Sequence, residues 1–261
     1  MSELIVRDEL GVRWISMNRP SSKNGLTVEL NQAIIDALDA AQADPAVRCL
    51  VLTGEGGAFS SGLDLKMAAA EAGVGIEETG ARMDRYFHGL IRAVRRLEKP
   101  IIAFVDGAAA GFGCDLALAC DLRLGTARTR YGEIFVKRGL MPDGGGSYTL
   151  PRLVGVAKAL ELMLGGEMVE ADEALRIGLV TKLFPVETGA ADALAYAARI
   201  AAGAPKVHAW VKRAVYGALD GTLEDALAIE RKGQLELLRS KDFFEGVSAF
   251  FQKREPKFTG E

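Results

Sequence analysis

The sequence predicts an α/β fold whose C-terminal third is helical. Early in the chain, short apolar segments typical of buried strands alternate with segments whose apolar residues recur at helical spacing. Such alternation is typical of strands packed under helices. From Val156 onward helical periodicity dominates, and only residues 180–183 are strand-like. We therefore expect an α/β core over residues 1–195 and a helical region over residues 196–261.

The N-terminal elements are a predicted hairpin and a capped helix. Residues 4–6 and 12–17 alternate apolar and polar side chains on either side of Glu9-Leu10-Gly11, which indicates a β-hairpin. Thr27 is a favourable N-cap for the helically periodic residues 28–41.

Strand, glycine-rich loop and helix then recur along the chain. The predicted strands are residues 47–53, 101–105 and 122–126, and the predicted helices are residues 83–97, a segment ending near Cys120, and residues 156–164, 171–177, 190–202, 207–219, 223–238 and 243–251.

Composition excludes several classes of function. Thirty-two Lys and Arg against 35 Asp and Glu give a formal net charge of −3, and no basic run exceeds two residues, which argues against a nucleic-acid partner. The acidic start MSELIVRDEL does not resemble a secretory signal, and charges and glycines interrupt the longest apolar stretch, residues 101–120. The interrupted stretch predicts no membrane association, and three cysteines without a CxxC pair predict a reduced, cytoplasmic protein.

Histidine chemistry is also disfavoured. His88 and His208 are the two histidines, and each is predicted to be an ordinary helix-face residue. No metal site is expected, and a Gly-x-Ser-x-Gly nucleophile motif is absent from the sequence.

Two glycine-rich segments, residues 58–66 and 107–121, each follow a predicted strand. A glycine before a helix lets a ligand approach the backbone, where the first N–H groups have no intrahelical acceptor and favour negative charge. The sequence after Gly111-Phe112-Gly113 does not complete the dinucleotide-binding pattern. Each loop taken alone is equally explained as a tight turn.

Taken together and in order, these segments resemble the enoyl-CoA hydratase/isomerase (crotonase) superfamily over almost the whole chain. The matching blocks are Asn18-Arg19-Pro20 with Asn24, Phe59-Ser60-Ser61-Gly62-Leu63-Asp64-Leu65, residues 107–121, residues 139–146, Leu150-Pro151-Arg152-Leu153-Val154-Gly155, residues 171–180, and Phe250-Phe251-Gln252-Lys253-Arg254.

The resemblance implies a crotonase-like spiral of strand–strand–helix turns and a helical C-terminal region that forms homotrimers, often paired into hexamers. It implies an acyl-CoA thioester substrate and no separate cofactor, because CoA is part of the substrate. The family's oxyanion hole, which stabilises a thioester enolate, maps to the backbone N–H groups of Leu63 and Phe112. Gly62, Gly111 and Phe135 are expected beside them in the substrate-binding region.

The carboxylates differ from those of a typical hydratase of this family. Asp115 stands where the resemblance implies the first glutamate, and Phe135 stands at the second. Glu133 lies two residues earlier and would share a face with Phe135 on a strand, so a shifted replacement stays open. Asp143 matches a proton-transferring aspartate of double-bond isomerases, and Phe112, Phe135 and Met141 are expected to raise its pKa.

Structural roles remain open for both aspartates, because Asp115 suits a helix N-terminus and Asp143 lies in a Pro-Asp-Gly turn.

The resemblance also implies a CoA-binding set. Backbone near Lys23, Asn24 and Gly25 and near Ser61, Asp64 and Leu65 is expected to hold the adenine. From a C-terminal helix, often of the neighbouring subunit, Phe250 and Lys253 would complete this site. An N-terminal helix acid at Asp64 and a solvated lysine at Lys253 are the structural alternatives.

We therefore expect an acyl-CoA enzyme in which Leu63 and Phe112 stabilise an enolate and Asp143, with Asp115 as a second candidate, carries a proton. The missing glutamate favours double-bond isomerisation. Hydration of a 2-enoyl-CoA, and CoA-thioester binding with little catalysis, are the two alternatives.

Overall fold

The computed structural model describes residues 2–64 and 73–261 of the chain. Its strands are β1 (Leu4–Glu9), β2 (Val12–Met17), β3 (Cys49–Gly54), β4 (Ala58–Ser60), β5 (Ile101–Val105), β6 (Ala108–Ala110), β7 (Leu122–Thr126), β8 (Arg130–Gly132), β9 (Met168–Glu170) and β10 (Lys182–Phe184). Its α-helices are α1 (Val28–Ala43), α2 (Ile76–Arg82), α3 (Gly89–Arg96), α4 (Phe112–Ala119), α5 (Gly146–Val154), α6 (Val156–Gly165), α7 (Ala171–Arg176), α8 (Gly189–Ala201), α9 (Pro205–Ala218), α10 (Leu223–Leu237) and α11 (Lys241–Gln252).

Local signals at the N-terminus produce the predicted structures. Strands β1 and β2 pair antiparallel, and Leu10 and Gly11 between them both have positive φ, as a tight right-twisted hairpin requires. The Thr27 side chain accepts a hydrogen bond from the Leu30 amide (3.1 Å) and caps α1. The predicted hairpin and helix are confirmed.

The strands of the described residues form two sheets. The larger has the order β1-β2-β3-β5-β7-β10, and the smaller has the order β4-β6-β8-β9. Each successive pair, β3 with β4, β5 with β6 and β7 with β8, places one strand in each sheet, and neighbouring turns pair in parallel. This repetition is the predicted spiral of strand–strand–helix turns.

Both faces of the larger sheet are buried. Along β2, Val12 and Trp14 point to one face, and Ile15 and Met17 point to the other. Helix α8 covers the first face, while α1 and α4 belong to the main core on the second. Strands buried on both sides explain why the sequence shows apolar runs there, not strict alternation.

The C-terminal region is helical, as predicted. Helix α8 spans the predicted boundary between residues 195 and 196 and packs on the larger sheet, whereas α9, α10 and α11 follow it. No helix of the described residues has the length and apolar character needed to cross a membrane.

Most predicted bounds differ from the observed ones by one or two residues, and the backbone shows the reason for two of these differences. The predicted helix over residues 83–97 begins with a π-helical turn, Met83–His88, before α3. Strand β10 begins later than residue 180, because the Val180 amide donates to the Ala174 carbonyl and closes the end of α7. Its pairing with β7 therefore begins at Lys182.

Candidate active site

A cavity of about 200 Å³ lies beside the two glycine-rich loops. Its wall is mainly apolar and includes the rings of Phe87, Phe112 and Phe135. The Phe87 and Phe112 rings meet edge to face with centroids 5.3 Å apart. Asp143 is the one carboxylate among the described residues that line the cavity. The apolar wall will therefore strengthen any electrostatic interaction at Asp143.

The two glycine-rich loops meet because the strands before them are neighbours. Strands β4 and β6 pair in parallel, so the loops that follow them leave the same edge of the smaller sheet. Gly62 in the first loop has φ +86°, and a Cβ there would lie 2.7 Å from the Ala110 carbonyl oxygen and 3.1 Å from the Phe112 nitrogen. Only glycine allows this approach without displacing the backbone.

Two backbone amides in these loops have no acceptor among the described residues. The isolated bridge between Leu26 and Leu63 uses the carbonyl of Gly62 and the amide of Asp64, not the amide of Leu63. Phe112 is the first residue of α4, so its amide has no partner within the helix. Within residues 2–64 and 73–261, neither amide donates a hydrogen bond to the protein, and both residues line the cavity.

Asp143 lies in the segment before α5 and is half-buried. Burial raises the pKa of its carboxyl group, and the nearby charge of protonated His88 partly opposes that rise. The His88 Nε2–H donates to the Asp143 carbonyl oxygen (3.0 Å). Among the described residues, Asp143 Oδ1 has no hydrogen-bond partner. A carboxylate with a raised pKa and a free oxygen suits proton transfer.

Asp115 and Glu133 do not line this cavity. Asp115 is in the first turn of α4 and completely buried, and its Oδ2 accepts from the Gly144 amide (2.8 Å). The expected shared strand face of Glu133 and Phe135 is wrong, because β8 ends at Gly132 and Phe135 lies in the 3-10 turn Ile134–Arg138. Phe135 borders the cavity, whereas Glu133 is buried near Asp115.

Comparisons with known proteins show which family the chain belongs to. A sequence model described as enoyl-CoA hydratase/isomerase matches residues 7–261. The chain belongs to that family. A probable enoyl-CoA hydratase of Rhodobacter capsulatus is 38% identical, and the 1,2-epoxyphenylacetyl-CoA isomerase of Escherichia coli is 34% identical, each with full coverage of both chains.

Solved structures of the enoyl-CoA hydratase/isomerase family have the same fold. A putative enoyl-CoA hydratase from Streptomyces coelicolor superimposes with a TM-score of 0.94 at 35% identity, over 100% of this chain and 95% of that chain. The enoyl-CoA hydratase from Bacillus anthracis gives 0.94 at 31% identity over both complete chains. The crotonase-type fold implied by the resemblance is therefore confirmed.

The residues expected to bind adenine in this family lie together at the edge of the first loop. The Ser61 amide donates to the Lys23 carbonyl (2.9 Å), and both residues are exposed. Gly25 is buried between them and Asp64, which pairs with Arg19 at 2.9 Å. Their role in CoA binding stays a prediction, and Leu65 lies outside the described residues.

Asn24 is placed differently from its neighbours. Its side chain is completely buried, accepts from the Arg19 amide (2.8 Å) and donates to the carbonyls of Glu55 (2.9 Å) and Ala58 (2.8 Å). These bonds tie the segment before α1 to the β3–β4 connection. The backbone of Asn24 is bonded as well, because its amide donates to the Arg19 carbonyl (2.9 Å) and its carbonyl accepts from the Ser60 hydroxyl (2.8 Å). Asn24 therefore shapes the loop, and its expected role in CoA binding stays a prediction.

Phe250 and Lys253 lie away from the cavity within the same chain. Phe250 on α11 is 78% exposed and borders a separate depression between the C-terminal helices, and Lys253 ends α11. One protomer therefore does not bring this pair to the glycine-rich loops.

Sequence reasoning missed the contact of His88 and overestimated Met141. His88 was predicted only as a helix-face residue, yet it touches the Asp143 backbone across 55 positions of sequence, a separation that leaves no local signal. Met141 is 71% exposed and does not border the cavity, so its expected part in the apolar pocket is wrong. The adjacent Leu140 lines the wall instead.

Proposed function

We propose that the protein is an acyl-CoA isomerase that moves a double bond through a thioester enolate. The observation that carries this proposal is that Asp143, the one carboxylate among the described lining residues, shares an apolar cavity with two amides that have no acceptor in the described part of the chain. The relatives include proteins named as hydratases and as isomerases.

The amides of Leu63 and Phe112 form the proposed oxyanion hole. Enolate formation places negative charge on the thioester oxygen, and donors fixed in advance stabilise that charge without reorganising. Loss of one such donor typically costs about 3 kcal/mol of transition-state stabilisation. The buried Phe112 ring borders the same cavity, so it narrows the space for the acyl group.

Asp143 is the proposed proton carrier. In its ionised form it would take a proton from one carbon of the acyl chain and return it to another, which requires no bound water. Its raised pKa brings the carboxylate closer to the basicity that such a transfer needs at neutral pH. Asp115, the second candidate, is supported less well because it does not reach the cavity wall.

Hydration is the second candidate function. Three similar proteins are named probable enoyl-CoA hydratase, 2,3-dehydroadipyl-CoA hydratase and crotonyl-CoA hydratase, at 38%, 34% and 33% identity. Water addition in this family requires two acids around the double bond. In this cavity, Phe135 occupies the position where the second acid is expected. This replacement favours isomerisation.

A comparison of exchange and hydration tests the proposal. Short-chain, aromatic and doubly unsaturated enoyl-CoA esters are incubated in deuterated water, and products are read by mass spectrometry. We expect deuterium exchange and double-bond migration to exceed hydration for the preferred ester. Hydration faster than exchange would favour the second candidate, and tight binding without either reaction would indicate a CoA-thioester-binding protein.

Asp143→Asn tests the proton carrier directly. We expect kcat for isomerisation to fall by about 10²–10⁴-fold, the usual contribution of a general acid–base, while the Kd for acyl-CoA changes only a few-fold. Asp172→Asn, at an exposed aspartate in α7, is the matched control. Retained turnover in Asp143→Asn removes Asp143 from the mechanism.

We also propose that the C-terminal helices assemble homotrimers or hexamers. Val211 and Val215 on α9 and Leu219 directly after it are 53%, 55% and 43% exposed in the isolated chain, and large apolar residues on α10 and α11 are exposed as well. Assembly would cover them and would allow Phe250 and Lys253 to reach a neighbouring protomer's CoA. Light scattering that gives the mass of one chain at micromolar concentration would contradict this assembly.

A further inference from the structure

Two carboxyl groups are buried next to one another behind the wall that carries Asp143. Asp115 is 0% exposed and Glu133 is 3% exposed. Both point to the start of α5, where a Cβ on Gly146 would lie 2.1 Å from Asp115 Oδ1 and 3.3 Å from Glu133 Oε1. In the described part of the chain, Asp115 Oδ1 and both Glu133 oxygens have no hydrogen-bond partner by geometry.

No cation compensates this pair among the described residues. The groups that face the pair are the Cys114 thiol, the Asp143 carboxyl group and the Gly144 amide. Within the described residues, neither acid forms an ion pair. The His88 side chain contacts Asp143 on its carbonyl oxygen, not the two acids. Two carboxylates held this close in an apolar setting do not both ionise near neutral pH.

The pair is connected to Asp143 through one peptide unit. Asp115 Oδ2 accepts from the amide of Gly144, the residue that follows Asp143. A Cβ on Gly144 would lie 2.6 Å from Asp115 Cβ and 3.0 Å from the Phe112 ring. The backbone after Asp143 is therefore pressed against Asp115 and the first turn of α4.

We propose that Asp115 and Glu133 share a proton and act as positioning residues, fixing the Asp143 backbone through the Gly144 amide and limiting the negative charge behind the cavity. The positioning role toward Asp143 rests on the proposed function. The shared proton is a property of the folded protein and does not depend on that function.

Burial and the contact between the two acids determine how the pair titrates. Burial raises the pKa of Asp115 well above its ordinary value, and the neighbouring Glu133 raises it further. Burial raises the pKa of Glu133 to about 7, and the Asp143 charge adds to that rise. Above pH 7 the pair gains a negative charge, which opposes formation of an anionic enolate in the adjacent cavity.

Glu133→Gln tests the shared proton without using activity. The unfolded chain releases this proton near pH 4.5, whereas the folded protein keeps it to about pH 7, so stability declines as the pH rises between these values. We expect the unfolding equilibrium constant of the wild type to rise on the order of 100-fold more from pH 5 to pH 8 than that of Glu133→Gln. Glu230→Gln, at an exposed helical glutamate, should match the wild type.

An equal pH dependence of unfolding in wild type and Glu133→Gln would overturn the shared proton. Infrared spectra of the wild type in deuterated water provide a test that does not depend on the variant folding. A band from a protonated, buried carboxyl group should be present at pH 6 and weaken as the pH rises through about 7. A folded wild type without this band at pH 6 would also overturn the proposal.

The positioning part is tested by the pH profile of kcat. For the wild type, we expect kcat at pH 8.5 to be at least about fivefold below kcat at pH 6.5, because Glu133 ionises between these values. Glu133→Gln should show no such decline, whatever its absolute rate. An unchanged decline in the variant overturns the positioning role. If Asp143→Asn remains active while the Glu133 titration behaves as expected, the proposed function fails and the shared proton stands.

Discussion

Two parts of the cavity wall are built from different chemistry. In the first part, the loops after β4 and β6 present backbone amides whose positions depend on the approach of Gly62 to Phe112. In the second part, Asp143 presents a side chain whose pKa depends on burial and on His88, and its backbone adjoins the carboxyl pair. The amide part should be sensitive to added volume, and the carboxyl part should be sensitive to charge and pH.

Gly62→Val should have the largest effect, because it adds volume where the loops meet. The new side chain would collide with the Ala110 carbonyl and the Phe112 amide, and the positive φ of residue 62 would be strained. We expect kcat/KM to fall by at least about 100-fold, the usual effect of losing one oxyanion donor. Stopped-flow or spectrophotometric assays of isomerisation provide the measurement.

Gly57→Val is the matched control for Gly62→Val. Gly57 also has a positive φ, but a Cβ at this residue would have no atom within 4 Å, so the substitution carries strain without the collision. Its kcat/KM should stay within a few-fold of wild type. Equal losses in the two variants would show that backbone strain, not the meeting of the loops, controls activity.

Phe135→Glu should sharpen the comparison by giving the cavity a second acid. Phe135 is 8% exposed and borders the cavity, so the new carboxyl group would face the acyl chain. We expect the ratio of hydration to isomerisation to rise by about tenfold, which is less than the full rate contribution of a well-placed general base. Phe135→Gln supplies the same size without the acid, and the same product ratio in both variants would contradict the expectation.

His88→Gln should have the smallest effect. Protonated His88 lowers the pKa of Asp143, so its loss should raise that pKa and shift the acidic limb of the kcat profile toward higher pH. We expect a loss of roughly threefold at the acidic end of the profile and little change at its alkaline end. The Asp84 carboxylate lies 3.6 Å from the His88 ring and 2.7 Å from Arg92. Arg92→Gln therefore removes a charge near His88 but leaves His88 in place, and it should not move the acidic limb.

Much of the fold was predictable because its signals are local. The hairpin follows from alternation around Leu10 and Gly11, and α1 follows from the Thr27 cap and its apolar spacing. The boundary of β10 was missed because Val180 looks strand-like but closes the turn after α7. The spiral itself came from the resemblance, since periodicity does not reveal which strands share a sheet.

The site was predicted less completely, because it depends on contacts between distant segments. The motifs indicated Leu63, Phe112 and Asp143, and the structure places all three at one cavity. The end of β8 at Gly132 decides that Phe135 faces the cavity while Glu133 turns toward Asp115. Single-sequence patterns contain no signal for that turn or for the His88 contact.

The cysteines of this fold have a practical consequence. Cys49, Cys114 and Cys120 are all buried free thiols, and burial raises the pKa of Cys49 and Cys120 to about 12. The reactive species is the thiolate, so the native protein should resist alkylating reagents and mild oxidants. The rate at which such a reagent labels the chain therefore reports how often the core opens, without any introduced probe.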